Sequence, residues 1–452
     1  MKPLFFGLFL CLAGLILLPA CKKDSVHIPP STDKSIDSFG LLKADSSAFK
    51  AGDVDITTGD TIRISLPPFT DLTKLIPVIL FKGKTISPAS KTLQDFSSPV
   101  TYTVTAEDGS QFKYTVVVSV RGAVYFGSNG NNFYAVDAVR GTQLWKYAGT
   151  GEFQYSSPTL VNGILYAGCI NGTMYGFDPA TGVVKWQYQA GGPIESPAAV
   201  AGGVVYFGSD DHNFYAVDAA TAKLKWSYTT GSNVSSRPAV VGGIVYFGSS
   251  DSYLYALDAA TGAFKWKYNT GGGIVLASPA VADGTVYIGS RSDSLYAVDA
   301  VTGSRKWAFK GDGFSLEMAT PLVNNGSIYF GAWSGSLFAV DVNTGSLKWQ
   351  SLNSLGFTDE PFIANNILYI TADDGNVYAI NSGTGATIWK NLIYANGAAP
   401  VVAGGAVFVG GGGSHYFYAF DAARGGVKWQ FPVMQTEIAL SRPFVVGKVV
   451  GQ

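Results

Sequence analysis

Ser236-Arg237-Pro238-Ala239-Val240-Val241, Val245-Tyr246-Phe247-Gly248-Ser249, Leu254-Tyr255-Ala256-Leu257-Asp258, Thr261-Gly262 and Phe264-Lys265-Trp266-Lys267-Tyr268 follow one another between residues 236 and 268. Four short apolar or alternating runs are separated by turn residues, which is the signature of four short strands. The unit recurs. Trp stands at 145, 186, 226, 266, 307, 349, 389 and 429, with gaps of 41, 40, 40, 41, 42, 40 and 40 residues. A four-stranded unit repeated every 40–45 residues is a propeller blade. Eight Trp therefore predict eight blades, and only Trp333 falls outside the series.

Each position in the unit has a physical reason. Eight residues before each Trp stands Asp137, Asp178, Asp218, Asp258, Asp299, Asp341, Asn381 or Asp421. Such a side chain caps N–H groups of the turn that follows. Four residues later comes Gly, or Ala222 in one unit. That position permits positive φ before the fourth strand. The Trp lies on that fourth, outer strand, where an indole fills the gap between blades while its N–H finds a carbonyl. Pro158, Pro197, Pro238, Pro279, Pro321, Pro361, Pro400 and Pro443 each open a first strand, where the missing N–H is tolerated. The first unit, from Val124, has no Pro-led strand of its own, whereas Ser441–Val446 is a first strand with no blade after it. The two ends are expected to share one composite blade, which removes two exposed sheet edges.

Before the repeats, residues 35–121 contain no helical period. Ile62, Ile64 and Leu66 alternate with polar neighbours, as do Tyr102, Val104 and Ala106, and Phe112, Tyr114, Val116 and Val118. The turn Glu107-Asp108-Gly109-Ser110 between the last two runs predicts a hairpin. The expectation is a small β-sandwich. Asp53, Asp55 and Asp60 read as solvated turn carboxylates or, alternatively, as calcium ligands.

Met1 is followed by Lys2 and an apolar run from Leu4 to Leu18, then Pro19-Ala20-Cys21. The run is short for a membrane span and reads as a secretory signal over residues 1–20. Residues 21–34, rich in Lys, Ser, Asp and Pro, read as a tether.

Composition narrows the function. The 452 residues carry a formal charge of −1 and only 14% charged side chains. An overall basic nucleic-acid binder is excluded, and no nucleic-acid partner is expected. Three Cys and three His provide neither a disulfide framework nor a multi-His metal site, so no metal is expected.

The Tyr-Ala-(Val/Leu)-Asp, Thr-Gly, Lys-Trp pattern, clearest from Tyr215 to Trp226 and from Tyr255 to Trp266, resembles the repeats of pyrroloquinoline-quinone-type propellers over residues 122–452. Ala20-Cys21 resembles a bacterial lipobox, which implies acylation at Cys21. Lys22 leans the expectation towards the outer membrane. The 87–116 stretch resembles Ig-like modules of Bacteroidota lipoproteins, which serve as spacers. The expected fold is thus all-β: an eight-bladed propeller, closed by the C-terminal strand, behind a small Ig-like β-sandwich.

These resemblances imply three roles. Quinoprotein dehydrogenases of this repeat type use an adjacent Cys pair and long inserted loops. In this chain Cys11 and Cys21 lie in the signal region, Cys169 stands alone, and every Trp gap is 40–42 residues. No cofactor and no catalysis are therefore expected. Propeller lipoproteins of the outer-membrane β-barrel assembly machinery resemble the chain in anchor and repeat. The broader reading is a scaffold for protein or polymer partners, lipid-anchored at the cell envelope. Its candidate binding residues stand near the blade-opening Pro, at the channel mouth: Glu195, Arg237, Glu317, Asp359, Glu360 and Arg442. They read either as a polar binding site or as a solvated rim with internal ion pairs. Asp210-Asp211-His212-Asn213 and His415 beside Gly410–Gly413 read as turn fillers, and Cys169 as a buried thiol.

Overall fold

The computed structural model describes residues 29–50, 53–274, 276–316, 318–352, 356–357, 360–394, 398–433, 437–439 and 441–447. Cys21 and the signal sequence lie outside the described residues, as do Glu317 and Asp359. The described chain is built from β-strands throughout. It divides into two compact units. The smaller holds the described residues up to Ala48, with Thr58–Ile62 and Thr73–Val116. The larger holds Phe49–Thr57, Arg63–Leu72 and the chain from Val117 onward.

In the N-terminal region, Ile36–Lys43 pairs antiparallel with Leu75–Phe81. A five-stranded sheet runs in the order Asp55–Thr57, Thr61–Leu66, Gln111–Val120, Val100–Thr105, Thr85–Ser87. The alternation read from sequence is the burial pattern: Ile62, Ile64, Leu66, Tyr102 and Val104 are buried while their strand neighbours are more exposed. The hairpin turn holds Gly109 at φ +84°, and the Asp108 carboxylate accepts the Ser110 N–H at 2.8 Å. Phe39 packs edge-on against Tyr102, with ring centroids 5.3 Å apart.

Among the described residues the larger unit contains eight four-stranded antiparallel sheets. The second blade shows the plan: Thr159–Val161, Ile164–Gly168, Thr173–Phe177 and Val184–Gln189, paired in chain order. Blades 3 to 8 repeat it over 199–229, 239–269, 280–310, 322–352, 362–392 and 401–432. Blade 1 is composite: Phe444–Val446 pairs with Ala123–Gly127, and Asn132–Asp137 and Gln143–Ala148 complete it.

Every blade hands an indole N–H to the next. Trp145 Nε1 donates to the Pro179 carbonyl at 2.9 Å, and Trp186, Trp226, Trp266, Trp307, Trp349 and Trp389 repeat the bond to Asp218, Ala259, Ala300, Val342, Ser382 and Ala422. Trp429 of blade 8 donates to Ala138 of blade 1 at 3.1 Å. Cores sit between neighbouring blades, and the seam is packed like the rest. Phe126 of blade 1 stacks on Phe417 of blade 8 at 4.1 Å, as Phe247 of blade 4 stacks on Phe214 of blade 3 at 4.0 Å. Each such buried ring contributes roughly 1.5–3 kcal/mol, so one interface of several rings is comparable with a domain's whole net stability of about 5–15 kcal/mol.

The Gly of the third turn has a second duty besides its positive φ. A Cβ at Gly182 would lie 2.6 Å from the Trp145 ring, and Gly262, Gly303, Gly345 and Gly385 stand against the preceding Trp in the same way. The capping Asp also anchors a cation. Lys265 Nζ lies 3.4 Å from Asp258 and Lys306 Nζ 3.4 Å from Asp299. In blade 1, where Leu144 takes the Lys position, Arg121 Nε supplies the charge to buried Asp137 at 2.6 Å.

Candidate functional site

In a four-stranded antiparallel blade, the loops between blades and the turns between second and third strands share one end of the ring. The residues preceding the inner strands line the channel mouth at that end. Successive blades are tied there by short side chains. Ser156 Oγ donates to Ser196 O, and Ser196 Oγ to Ser236 O at 2.8 Å. The Arg237 N–H donates to Ser278 Oγ, and the Ser278 N–H to Thr320 Oγ1, both at 3.0 Å.

The structure brings three of the sequence-derived candidates together. Arg237 precedes the inner strand of blade 4, Glu360 that of blade 7 and Arg442 that of blade 1. Arg237 Nη1 lies 3.5 Å from Glu360 Oε2, and Arg442 Nη1 pairs with the same oxygen. Blades 4 and 7 are not neighbours, so this network spans the mouth. The Arg442 guanidinium also lies over the Phe362 ring, 5.7 Å from its centroid. Burial would raise the Glu360 carboxyl, but Arg442 and Arg237 together hold it below its ordinary range. Burial depresses the Arg237 guanidinium, with Glu360 opposing and Arg442 adding to the effect. Arg237 Nε is buried and has no acceptor among the described residues. Two guanidiniums against one carboxylate leave the three-residue network with a formal charge of +1.

Glu195 is not part of this network. Burial, then the neighbouring Asp210 carboxylate, raises it to about 7, with a hydrogen bond from Ser235 opposing. Burial also raises Asp210, which accepts from Ser235 Oγ at 3.2 Å. Asp211 caps its own turn by accepting the Asn213 N–H at 2.9 Å, and also accepts from Tyr215 Oη at 2.5 Å and from the Gly191 N–H of the preceding inter-blade loop at 2.8 Å. His212 occupies the turn at φ +71°. His415 Nδ1 lies 2.8 Å from the Glu437 carbonyl, which can only accept, so Nδ1 carries the proton. Cys169 is buried, and burial pushes its thiol up to about 11.

Two features escaped the sequence reading. Glu437 is buried at the seam, accepting from Ser128 Oγ, Asn132 Nδ2 and Tyr134 Oη at 2.9, 2.6 and 2.9 Å. At the same end, Tyr155, Phe314, Trp333 and Tyr394 are exposed, each from a different loop. The signal for Trp333 was its place outside the periodic series.

Comparison with known proteins accords with this geometry. The family model for the outer membrane protein assembly factor BamB matches residues 103–196, 190–391 and 269–432. The model for the SGBP N-terminal domain matches residues 45–118. No curated protein matches the chain. Among solved structures, BamB from Moraxella catarrhalis is 24% identical, with a TM-score of 0.56 over 62% of this chain and 88% of that one. A europium-containing methanol dehydrogenase is 15% identical, with a TM-score of 0.56 over 63% and 79%. Quinohemoprotein alcohol dehydrogenase from Comamonas testosteroni is 17% identical, with a TM-score of 0.52 over 62% and 67%. At these identities the likeness is one of fold. The matched family segments run through all eight repeats, and the chain belongs to the family of the outer membrane protein assembly factor BamB.

Proposed function

We propose that this chain is a non-catalytic cell-envelope lipoprotein, anchored through an acylated Cys21, whose loop end docks a protein partner. The observation that carries the reading is the quartet of exposed aromatic side chains at that end, Tyr155, Phe314, Trp333 and Tyr394. Exposed aromatics are costly in water and enriched where proteins meet. The spanned mouth supports the same reading. Arg237, Glu360 and Arg442 are spent on one another, and the network contains no nucleophile–base pair. The dehydrogenases share the fold, but fold alone does not carry activity, and this chain lacks two adjacent Cys.

Within this role, assembly of outer-membrane barrel proteins is the reading that family membership favours. A photo-crosslinking residue at Trp333 or Tyr394, introduced in intact envelopes, is expected to trap one discrete protein. Deletion of the chain is expected to lower barrel-protein levels if the partner belongs to the assembly machinery. Crosslinks to no protein, or dye-linked alcohol oxidation with added quinone and calcium, would overturn the reading.

A further inference from the structure

We propose that a cleft between blades 6 and 7, at the end of the ring opposite the inter-blade loops, binds a neutral, hydroxyl-rich ligand of the carbohydrate class. The cleft has a volume of about 410 Å³. Asn324 and Asn325 reach it from the first turn of blade 6, Asn366 from the first turn of blade 7, and Asn381 from the third turn of blade 7. Ser327 and Trp349 add to its wall.

The other repeats serve as an internal reference. Asn324 stands where Val161, Ala201, Val241, Ala282, Ala364 and Ala403 stand elsewhere. Asn366 stands where Gly163, Gly203, Gly243, Gly284, Gly326 and Gly405 stand. It keeps a side chain at φ +61°, a conformation that favours glycine. Asn381 replaces the Asp of the seven other blades, and Ile388 replaces the Lys that pairs with it. Both members of an ion pair are therefore gone at one place, and amides gather there instead.

The chemistry selects the ligand class. The side-chain amides of Asn324, Asn325 and Asn366 make no hydrogen bond within the described residues, and Asn381 spends only its Oδ1, on the Gly383 and Thr384 N–H groups. Each amide offers an acceptor and two donors, which matches hydroxyls that both donate and accept. A mixed set of donors and acceptors favours a neutral ligand over an ion where the wall offers no free charge. The charge in the wall, Lys348, is occupied by Asp341 at 3.4 Å, Ser327 Oγ at 2.9 Å and the Gly326 carbonyl. Trp349 spends its N–H on Ser382 O, so what it offers the cleft is apolar ring surface, suited to the C–H face of a sugar. A cleft of this size suits a mono- or disaccharide unit, held by a few convergent polar groups.

The test uses the full chain and a panel of neutral gluco-, manno-, xylo-, galacto- and N-acetylglucosamine oligomers, with a hexuronate oligomer as the charged arm, read by calorimetric titration. Asn366→Gly and Asn381→Asp restore residues that the other blades carry, so both variants keep the fold, which an unchanged melting temperature checks. At least one neutral oligomer is expected to bind at millimolar concentration or below, and each variant to bind it about tenfold more weakly through loss of one or two hydrogen bonds. No neutral oligomer bound at millimolar concentration, preference for the hexuronate, or undiminished binding by both variants would each overturn the proposal.

Discussion

The carboxylate of Glu437 fills the space that a side chain at Gly130 would need: a Cβ there would lie 2.0 Å from Cδ of Glu437. In blade 3 the same contact is reversed. Asp211 holds the turn position of Gly130, and Gly191 holds the loop position of Glu437, six residues before the blade-opening Pro. A Cβ at Gly191 would lie 2.7 Å from Asp211 Oδ2. Tyr215 donates to Asp211 as Tyr134 donates to Glu437. The carboxylate has moved from the turn to the last loop, where it ties the end of the ring to its beginning.

A swap is therefore expected to be tolerated where its halves are not. Glu437→Gly removes the acceptor of the Tyr134 hydroxyl and one of two acceptors each of Ser128 Oγ and Asn132 Nδ2, which keep the Asn132 and Gly130 carbonyls, and is expected to cost about 1–3 kcal/mol. Gly130→Asp forces two carboxylates into one space and is expected to destabilise to a similar degree. The double variant rebuilds the blade 3 arrangement, so its denaturation midpoint is expected close to that of the parent. A double variant no better than the worse single one would show that the seam cannot take up the blade 3 arrangement.

Much of this was legible in the repeat, and the rest was not for a physical reason. The Trp, Asp and Gly positions announced blades because their roles are local to one unit and its neighbour. The unpaired strand Ser441–Val446 announced the composite blade because strand count is a property of sequence order. Arg237 and Glu360 are 123 positions apart, and their meeting depends on how far eight twisted blades turn before closing. The repeat placed both near the mouth but could not say that they touch. Asn381 was visible as the one amide among seven Asp, whereas the turn position of Gly130 holds Asn, Asp or Ser in the other blades and set no pattern. Their meaning required knowing that Asn366 and Glu437 stand opposite them.

Ala222 is the one non-glycine at the third-turn glycine position, and it sits at φ +57°. Left-handed backbone costs an L-residue roughly 1–2 kcal/mol, part of which glycine returns through its freer unfolded chain. Ala222→Gly is expected to stabilise the propeller by about 0.5–1 kcal/mol. Gly182→Ala at the equivalent place is expected to cost about 1–3 kcal/mol, because its Cβ meets Trp145 as well. Paired thermal melts of the two variants check the opposite signs.

Glu195 gives the propeller a pH dependence. Its folded pKa of about 7 lies above the ordinary carboxylate value. The folded chain thus binds the proton more tightly than the unfolded chain, and stability falls as pH rises from about 4.5 towards 7. Glu195→Gln removes the ionising group beside Asp210. The variant is expected to melt higher than the parent at pH 8 and together with it at pH 5. Equal gains at both pH values would assign the effect to packing instead of charge.

The network at the mouth allows stability to be separated from docking. Glu360 is held below its ordinary pKa, so the stability it contributes is complete above the usual carboxylate range and is lost as pH falls through the lower folded value. Glu360→Leu leaves Arg237 and Arg442 facing each other without their shared acceptor. With the side chains half-buried, the expected cost is about 1–3 kcal/mol, below the 3–5 kcal/mol typical of a fully buried pair. Replacing all three, as Arg237→Met, Glu360→Leu and Arg442→Met, removes the desolvation cost along with the attraction, and near-parental stability is expected. If the mouth serves only to join blades 1, 4 and 7, the triple variant should crosslink to its partner through Trp333 as the parent does. Loss of that crosslink at unchanged melting temperature would instead make the charged mouth part of the docking face. A triple variant as unstable as Glu360→Leu alone would show that stranded charge is not what destabilises the single variant, because the triple variant leaves no guanidinium without its acceptor.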